Sequence, residues 1–340
     1  MAAASSPPTT GAGRPLAAWA LSSPVFDAHC HFEDARIWAS REAWIMQAVE
    51  AGVTGFAVKG TSPEDWARVD EVCCDRLRDR SWPALLAGRL RDRSWPALLA
   101  GRLRDRPGAH VGECGLDRTP RASGSSLETQ LEAMRLHLGL AASLDRTVSL
   151  HCVRCAGALL GALTAGEFSG GSPRVILHSW QGSAEATRAL ARRPNTWFSL
   201  APRTLRSVPA KAARMVRAVP LDALLLESDA PDGTGEAGEA WRGEIAGWAD
   251  GGAGRGAEEE EEGSGGRTDG EQGASHSPEA RDGRLGPFPI AVPGCPAALP
   301  LFARLLAAVR GEDPETLTRA TFRNALRAFR IDGGAGGASP

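Results

Sequence analysis

The residues with the most chemistry in them lie at the start of the first apolar stretch. Val25–His31 reads VFDAHCH and places His29 and His31 two positions apart. In a β-strand, residues two apart point to the same side, so both imidazoles can converge on one point while Cys30 faces away. Neutral imidazole binds zinc and related transition ions. Four more residues of ligand type follow downstream: Glu113 in VGECGLD, His151 in VSLHCVR, His178 in VILHSW and Asp229 in LLLESDAPD. Four histidines and two carboxylates exceed what one ion needs. They suit two divalent ions about 3.5–4 Å apart that activate a water for hydrolysis.

Such a set needs a frame that brings it together, and the spacing suggests one. Each residue ends a stretch that reads as a strand, in Val25–His31, Ala109–Asp117, Thr147–Val153, Arg174–Trp180 and Ala223–Pro231. From His31 onward the gaps are 82, 38, 27 and 51 positions. One βα unit of a (β/α)8 barrel takes roughly 30 residues, so the gaps read as three, one, one and two units. The ligand residues then fall on strands 1, 4, 5, 6 and 8, with Thr54–Lys59 and Thr196–Pro202 as strands 2 and 7. In these barrels the chemistry sits at the C-terminal rim of the strands. The near-continuous apolar run before Glu227-Ser228-Asp229 marks a strand buried on both faces, as parallel sheets require.

Helical periodicity fills the intervals. It runs over Ala35–Ala51, ending at Gly52, and begins again at Ser62-Pro63-Glu64-Asp65, where acids sit at the positive helix end. Ser125 and Glu128 form a capping box ahead of Leu127, Leu131, Met134 and Leu138. A basic helix runs to Val219, and helices at Leu299–Val309 and Thr316–Phe329 close the chain. The fold class is therefore α/β, a (β/α)8 TIM barrel spanning residues 25–332.

Two stretches break the pattern. RLRDRSWPALLAG at Arg76–Gly88 recurs unchanged at Arg89–Gly101, and RLRDR starts a third time at Arg102–Arg106. Two thirteen-residue copies are too few and too short for a solenoid. A barrel strand and a helix should fit here, with PALLAG the only strand candidate. Residues 233–286 are rich in Gly and acids and contain five consecutive glutamates, Glu258–Glu262. A like-charge block among Gly and Ser stays solvated, so this stretch reads as a disordered insertion after strand 8, with His276 a bystander in it.

Composition limits the function classes. The chain has 340 residues, 42% of them hydrophobic, and a net charge of −2. No global basic field advertises nucleic acid, so such contacts must be local. No apolar run approaches the ~18 residues of a membrane span. Seven cysteines, an odd number in a long chain with no evident signal peptide, read as reduced thiols in an intracellular protein. Cys152 and Cys155 form C-x-x-C with no second pair. Residues 1–24, rich in Ala, Ser and Pro, read as a disordered leader or a weak transit peptide, and residues 333–340 as a disordered tail. The expected location is cytoplasmic or nuclear.

Together, FDAHCH, VGECGLD, VSLHCVR, VILHSW and LLLESDAPD resemble the TatD family of metal-dependent deoxyribonucleases, within the amidohydrolase-like barrels. The resemblance covers Val25–Asp232 and resumes at Pro289–Ile331, where RNALRAF matches the closing helix. It implies that His29, His31 and Asp229 hold one metal, that His151 and His178 hold the other, and that Glu113 bridges them. It also implies that Asp229 orients the attacking water or takes its proton. The implied activity is hydrolysis of DNA phosphodiesters, from a strand end, with two divalent ions (Zn, Mn or Mg). The family's Gly-x-His-Pro after strand 3 has no counterpart, since no His lies between His31 and His110. Among basic residues near the rim, Arg154, Arg203 and Arg206 are the candidates for phosphate contact. DNA is the expected partner, with no obligate protein partner implied. His110 and His137 read as structural or exposed. Two alternatives are a same-barrel hydrolase of a small ester, amide or aminoacyl link, and a non-catalytic protein with a damaged strand 3.

Overall fold

The structure, a computed structural model, describes residues 21–76, 81–85, 95–122, 124–165, 171–206, 209–233 and 295–331. The leader up to residue 20, the Gly/acid-rich stretch from 234 to 294 with Glu258–Glu262 and His276, and the tail from 332 lie outside the described residues, as does the Arg206 side chain.

Eight parallel strands form one sheet in sequence order: β1 (Val25–Cys30), β2 (Val53–Lys59), β3 (Ser81–Leu85), β4 (His110–Asp117), β5 (Thr147–Val153), β6 (Arg174–Leu177), β7 (Thr196–Leu200) and β8 (Leu224–Leu226). Beyond the end of β8 the chain meets β1 again. Ala230 bridges Cys30, the His31 amide donates to the Ala230 carbonyl at 2.9 Å, and the Asp229 amide donates to the His29 carbonyl at 2.9 Å. The last strand's end is thus stitched to the first, and the sheet is that of a (β/α)8 barrel.

The connecting helices are α1 (Arg41–Glu50), α2 (Trp66–Asp70), α3 (Trp95–Asp105), α4 (Leu127–Ser143), α5 (Ala156–Ala165), α6 (Ala184–Ala191), α7 (Pro209–Ala218), α8 (Leu299–Arg310) and α9 (Pro314–Ala328). Two buried clusters result. The larger packs helices against the outside of the sheet. The smaller joins Phe26, Ala28, Ala57, Ile176, Trp197 and Leu225 to Ala325, Ala328 and Phe329. These strand residues line the barrel's interior, and Phe329, just past α9, closes its floor by stacking on Phe26 with ring centroids 5.5 Å apart.

The duplicated segment resolves into two different elements. SWPAL is a strand in the first copy, pairing with both β2 and β4. In the second copy the WPAL residues, Trp95–Leu98, begin α3, whose Trp95 is buried and stacks on His137 at 4.2 Å. Pro96 falls in the first turn of that helix, where no intrahelical acceptor awaits its missing N–H.

One local expectation needs correcting. The cap of α4 is Ser126, whose side chain accepts from the Thr129 amide at 3.1 Å, rather than Ser125 with Glu128. Both serines precede the apolar pattern, and the extended backbone of Ser126 (φ −65, ψ 155) is the geometry a cap needs.

Candidate metal centre

The strand ends bring the six candidate residues to one rim. His29 lies within β1, His31 directly after it, Glu113 in β4, His151 in β5, His178 one residue past β6, and Asp229 three residues past β8. His29 and His31 meet through their Nε2 atoms at 3.1 Å. His29 Nε2 is also 3.5 Å from Glu113 Oε2 and 3.9 Å from Asp229 Oδ1. His31 Nε2 is 3.8 Å from each of the same two oxygens. Glu113 Oε1 faces His151 Nδ1 at 3.0 Å and His178 Nε2 at 3.4 Å. Glu113 therefore lies between a pair of imidazoles on one oxygen and a pair on the other.

Among the described residues two groups have ligand atoms close enough to share an ion: His29 with His31 and Asp229, and His29 with Glu113 and His178. The first is the trio that the resemblance implies. In the second, His29 takes the place expected of His151, whose ring touches Glu113 but whose Nε2 turns outward, 3.7 Å from Asp117. Donors of this type suit transition ions better than Ca²⁺ or alkali ions, which prefer oxygen shells. The residues present thus fit divalent metal.

The local backbone explains why these atoms converge. Gly115 has φ of +145, and a Cβ there would collide with the His151 carbonyl, so only glycine lets β4 approach β5 at this level. Asp229 adopts a left-handed conformation (φ 50) that bends it back over β1. Asp27 fastens this bend from below. It is fully buried, accepts from the Ser228 hydroxyl at 2.6 Å and from the Ser228 amide at 2.9 Å, and so ties β1 to the Glu227-Ser228-Asp229 turn.

Three supporting carboxylates went unassigned by sequence reasoning. Asp27 is one. Glu33 accepts from His31 Nδ1 at 3.1 Å, and the same nitrogen is 2.9 Å from the Lys59 carbonyl. Glu227 Oε1 lies 3.0 Å from His178 Nδ1 and accepts the Ser179 amide at 2.7 Å. A carboxylate behind a ligating imidazole fixes its tautomer and orientation. Their sequence signal was proximity alone, each being within two residues of a ligand, which does not separate support from solvent exposure.

The field at the site is strongly negative. Burial lowers the pKa of His29 well below its usual value, with neighbouring His178 adding to the effect. For His31 and His178, burial acts downward but is outweighed by nearby carboxylates, chiefly Glu33 and Glu227 respectively, which raise them to about 10 and about 9. Burial acts upward on Glu113, yet His178, His151 and His29 hold it well below the ordinary range. Asp229 is raised, by burial first, with His178 and Arg203 pulling the other way. Asp27 is pushed up to about 7 by burial despite its bonds to Ser228. Divalent cations would be held by the same carboxylates that raise His31 and His178.

The candidate phosphate contacts divide. Arg203 forms an ion pair with Asp229 Oδ2 and lines the cavity over the site. Arg154 is exposed, has φ of +58, and is absent from the cavity's lining. Arg36, which drew no attention in the sequence, bridges Asp34 (2.6 Å) and Asp232 (2.7 Å) and so joins the loops after β1 and β8. Cys30 is buried with its thiol toward the Ala57 carbonyl, and Cys114 and Cys152 pack on the core, so all three turn away from the ligands as strand alternation requires. His110 and His137 are buried far from the rim and are structural. Among the described residues no helix is long and apolar enough to cross a membrane.

Comparison with known proteins agrees with this architecture. The family described as "TatD related DNase" matches residues 26–330. The mouse protein named "Putative deoxyribonuclease TATDN3" is 30% identical over 123 residues, which are 36% of this chain and 40% of the relative. The chain thus matches about two-fifths of that curated relative's length. Two solved structures share the fold at a TM-score of 0.67. They are the TatD homolog YjjV of Escherichia coli, 22% identical with 90% of this chain and 98% of the other covered, and a TatD family hydrolase of Entamoeba histolytica, 12% identical with 91% and 99% covered. With its ligand-type strand ends, its barrel and a family match across nearly the whole described chain, this protein belongs to the TatD family.

Proposed function

We propose that the chain is a divalent-metal-dependent hydrolase that cleaves phosphodiester bonds of DNA from a strand end, with two ions at the rim. The observation that carries the reading is the position of Glu113, flanked by imidazoles on both oxygens and adjoining two ligand groups that overlap at His29. His29, His31 and Asp229 would hold one ion, and Glu113 and His178, with His151 beside them, the other. Bound ions would lower the pKa of water and offset charge on the phosphate. The chain's own groups would then do the rest. Asp229 has one oxygen toward the histidine pair and the other on Arg203. It can accept a proton at that edge, while Arg203 presents a guanidinium to a phosphate oxygen.

The cavity is about 770 Å³ and is lined almost entirely by charged and polar side chains, with Ala35 the one apolar contributor. Its size also favours a second reading, a small ester, amide or aminoacyl substrate. Purified protein assayed on end-labelled DNA and on small esters, with and without EDTA, separates the two. The expected result is chelator-sensitive DNA cleavage far exceeding ester hydrolysis. Undiminished DNA cleavage after exhaustive chelation would overturn the metal mechanism, and ester turnover without DNA cleavage would select the second reading.

A further inference from the structure

Lys59 ends β2 beneath the candidate ligands, and nothing so far gives it a role. Its side chain is fully buried, and among the described residues its ammonium has no hydrogen-bond partner. Below it lies the floor of the barrel, with Nζ 5.1 Å from the centroid of the Phe329 ring. Its backbone carbonyl accepts from His31 Nδ1 at 2.9 Å, which fixes β2 against the ligand above. A bare ammonium in such a place is costly, and an aromatic face offsets only part of that cost. Burial pushes the Lys59 ammonium down to about 8, and the neighbouring Cys30 thiol and then Glu227, Glu113 and Asp27 act the other way, favouring the charged form. Lysine is a poor choice for filling space here. Its charge is what distinguishes it from methionine.

We propose that Lys59 is the built-in counter-charge of this site: its buried ammonium beneath the ligand carboxylates offsets part of their charge and weakens the hold on divalent ions. The inference rests on the metal reading given above. It makes the site less negative than its carboxylates alone would, and keeps bound ions exchangeable. Removing the charge leaves the ligands in place in a more negative cavity, so divalent ions should bind more tightly. A purely structural lysine gives the opposite sign, because a damaged floor disorders the ligands and weakens binding.

The test compares full-length wild type with Lys59→Met and Lys59→Gln, each stripped with chelator. Affinity for Mn²⁺ and Zn²⁺ is measured by competition with a chromophoric chelator at fixed pH, with no DNA present. Both uncharged variants should bind at least about tenfold more tightly, a lower bound for one charge acting on a divalent ion through a protein interior. They should also gain more thermal stability than wild type when metal is added. Lys59→Arg, which keeps the charge, should stay near wild type. Equal or weaker binding in a folded uncharged variant overturns the proposal. So does failure of both uncharged variants to fold even when expressed with divalent metal, since supplied ions would satisfy the carboxylates. If wild type itself binds no divalent ion, the metal reading fails and the counter-charge falls with it. If wild type binds and the variants do not differ, the counter-charge alone falls.

Discussion

Glu113 and Asp229 occupy different kinds of position, and substitutions should separate them. Glu113 is approached by His29, His31, His151 and His178, so Glu113→Gln removes the one carboxylate charge that faces all four histidines. The expected outcome is lowered metal content by elemental analysis together with loss of cleavage. Asp229→Asn keeps an oxygen toward the histidine pair but accepts protons poorly. At least one metal should remain, and turnover should fall by roughly 10²–10⁴, the usual scale of a lost general base. Wild-type cleavage by Asp229→Asn would show the site to be wrongly assigned. Away from the rim, burial lowers His137 to about 4 and His110 to about 3. Each is therefore held neutral in the folded state, below its unfolded value near 6.5. The stability this represents is present above pH 6.5 and is lost as pH falls through 6.5 toward 4. For His137 alone the loss is about 3 kcal/mol at most. His137→Gln should flatten the denaturant-measured stability profile between pH 6.5 and 4, and an unchanged slope would refute the assignment.

At the scale of elements, the duplicated thirteen residues show neighbours overriding local preference. The first copy supplies β3 because β2 and β4 each present an open edge that a parallel strand must fill. The second copy is helical from Trp95 onward, with Trp95 on His137, and just past it Arg102 and Arg106 both pair with Asp70 at the end of α2. Neither copy is spare. Deleting residues 89–101 leaves one copy to serve as both strand and helix, so the barrel should lose either a strand or the helix that covers it. The expected outcome is insoluble protein or loss of cooperative thermal unfolding by circular dichroism. A soluble deletion variant with unaltered melting would mean that one copy is dispensable. Gly115 is the other element-scale constraint. Gly115→Ala should separate β4 from β5 at His151 and reduce metal content, since the added methyl meets backbone rather than a movable side chain.

For the whole molecule, the rim is sparing in positive charge. Arg36, Arg68 and Arg203 line the cavity, and each is already paired with a carboxylate: Arg36 with Asp34 and Asp232, Arg68 with Asp65, and Arg203 with Asp229. With a net charge of −2 behind them, few phosphates can be neutralised. DNA affinity should therefore depend shallowly on salt, with a log–log slope of about −1 to −2, corresponding to one or two phosphate contacts. A slope several times steeper would point to a basic surface elsewhere. The stretch from Gly235 to Gly283 has a composition unable to bury a core. We expect its deletion to leave metal binding and melting temperature unchanged, and loss of either would make it part of the domain.

The six ligand-type residues and their strands could be read from the chain alone, because parallel strands buried on both faces are continuous apolar runs and the barrel repeats at a nearly fixed interval. Chemistry at the strand ends then falls into register. What the sequence leaves open is everything that depends on approach across the barrel. Nothing in the order of residues says that Glu33 and Glu227 stand behind His31 and His178, that Arg203 pairs with Asp229, or that His29 adjoins both ligand groups. Lys59 reads as an ordinary strand end until the floor closes beneath it. The two copies of SWPAL carry the same propensities and the same pattern, so no local rule could assign one to a strand and the other to a helix. That choice follows from the open edges of β2 and β4 and from the face of α4 that Trp95 covers, which exist only once the rest of the barrel has formed.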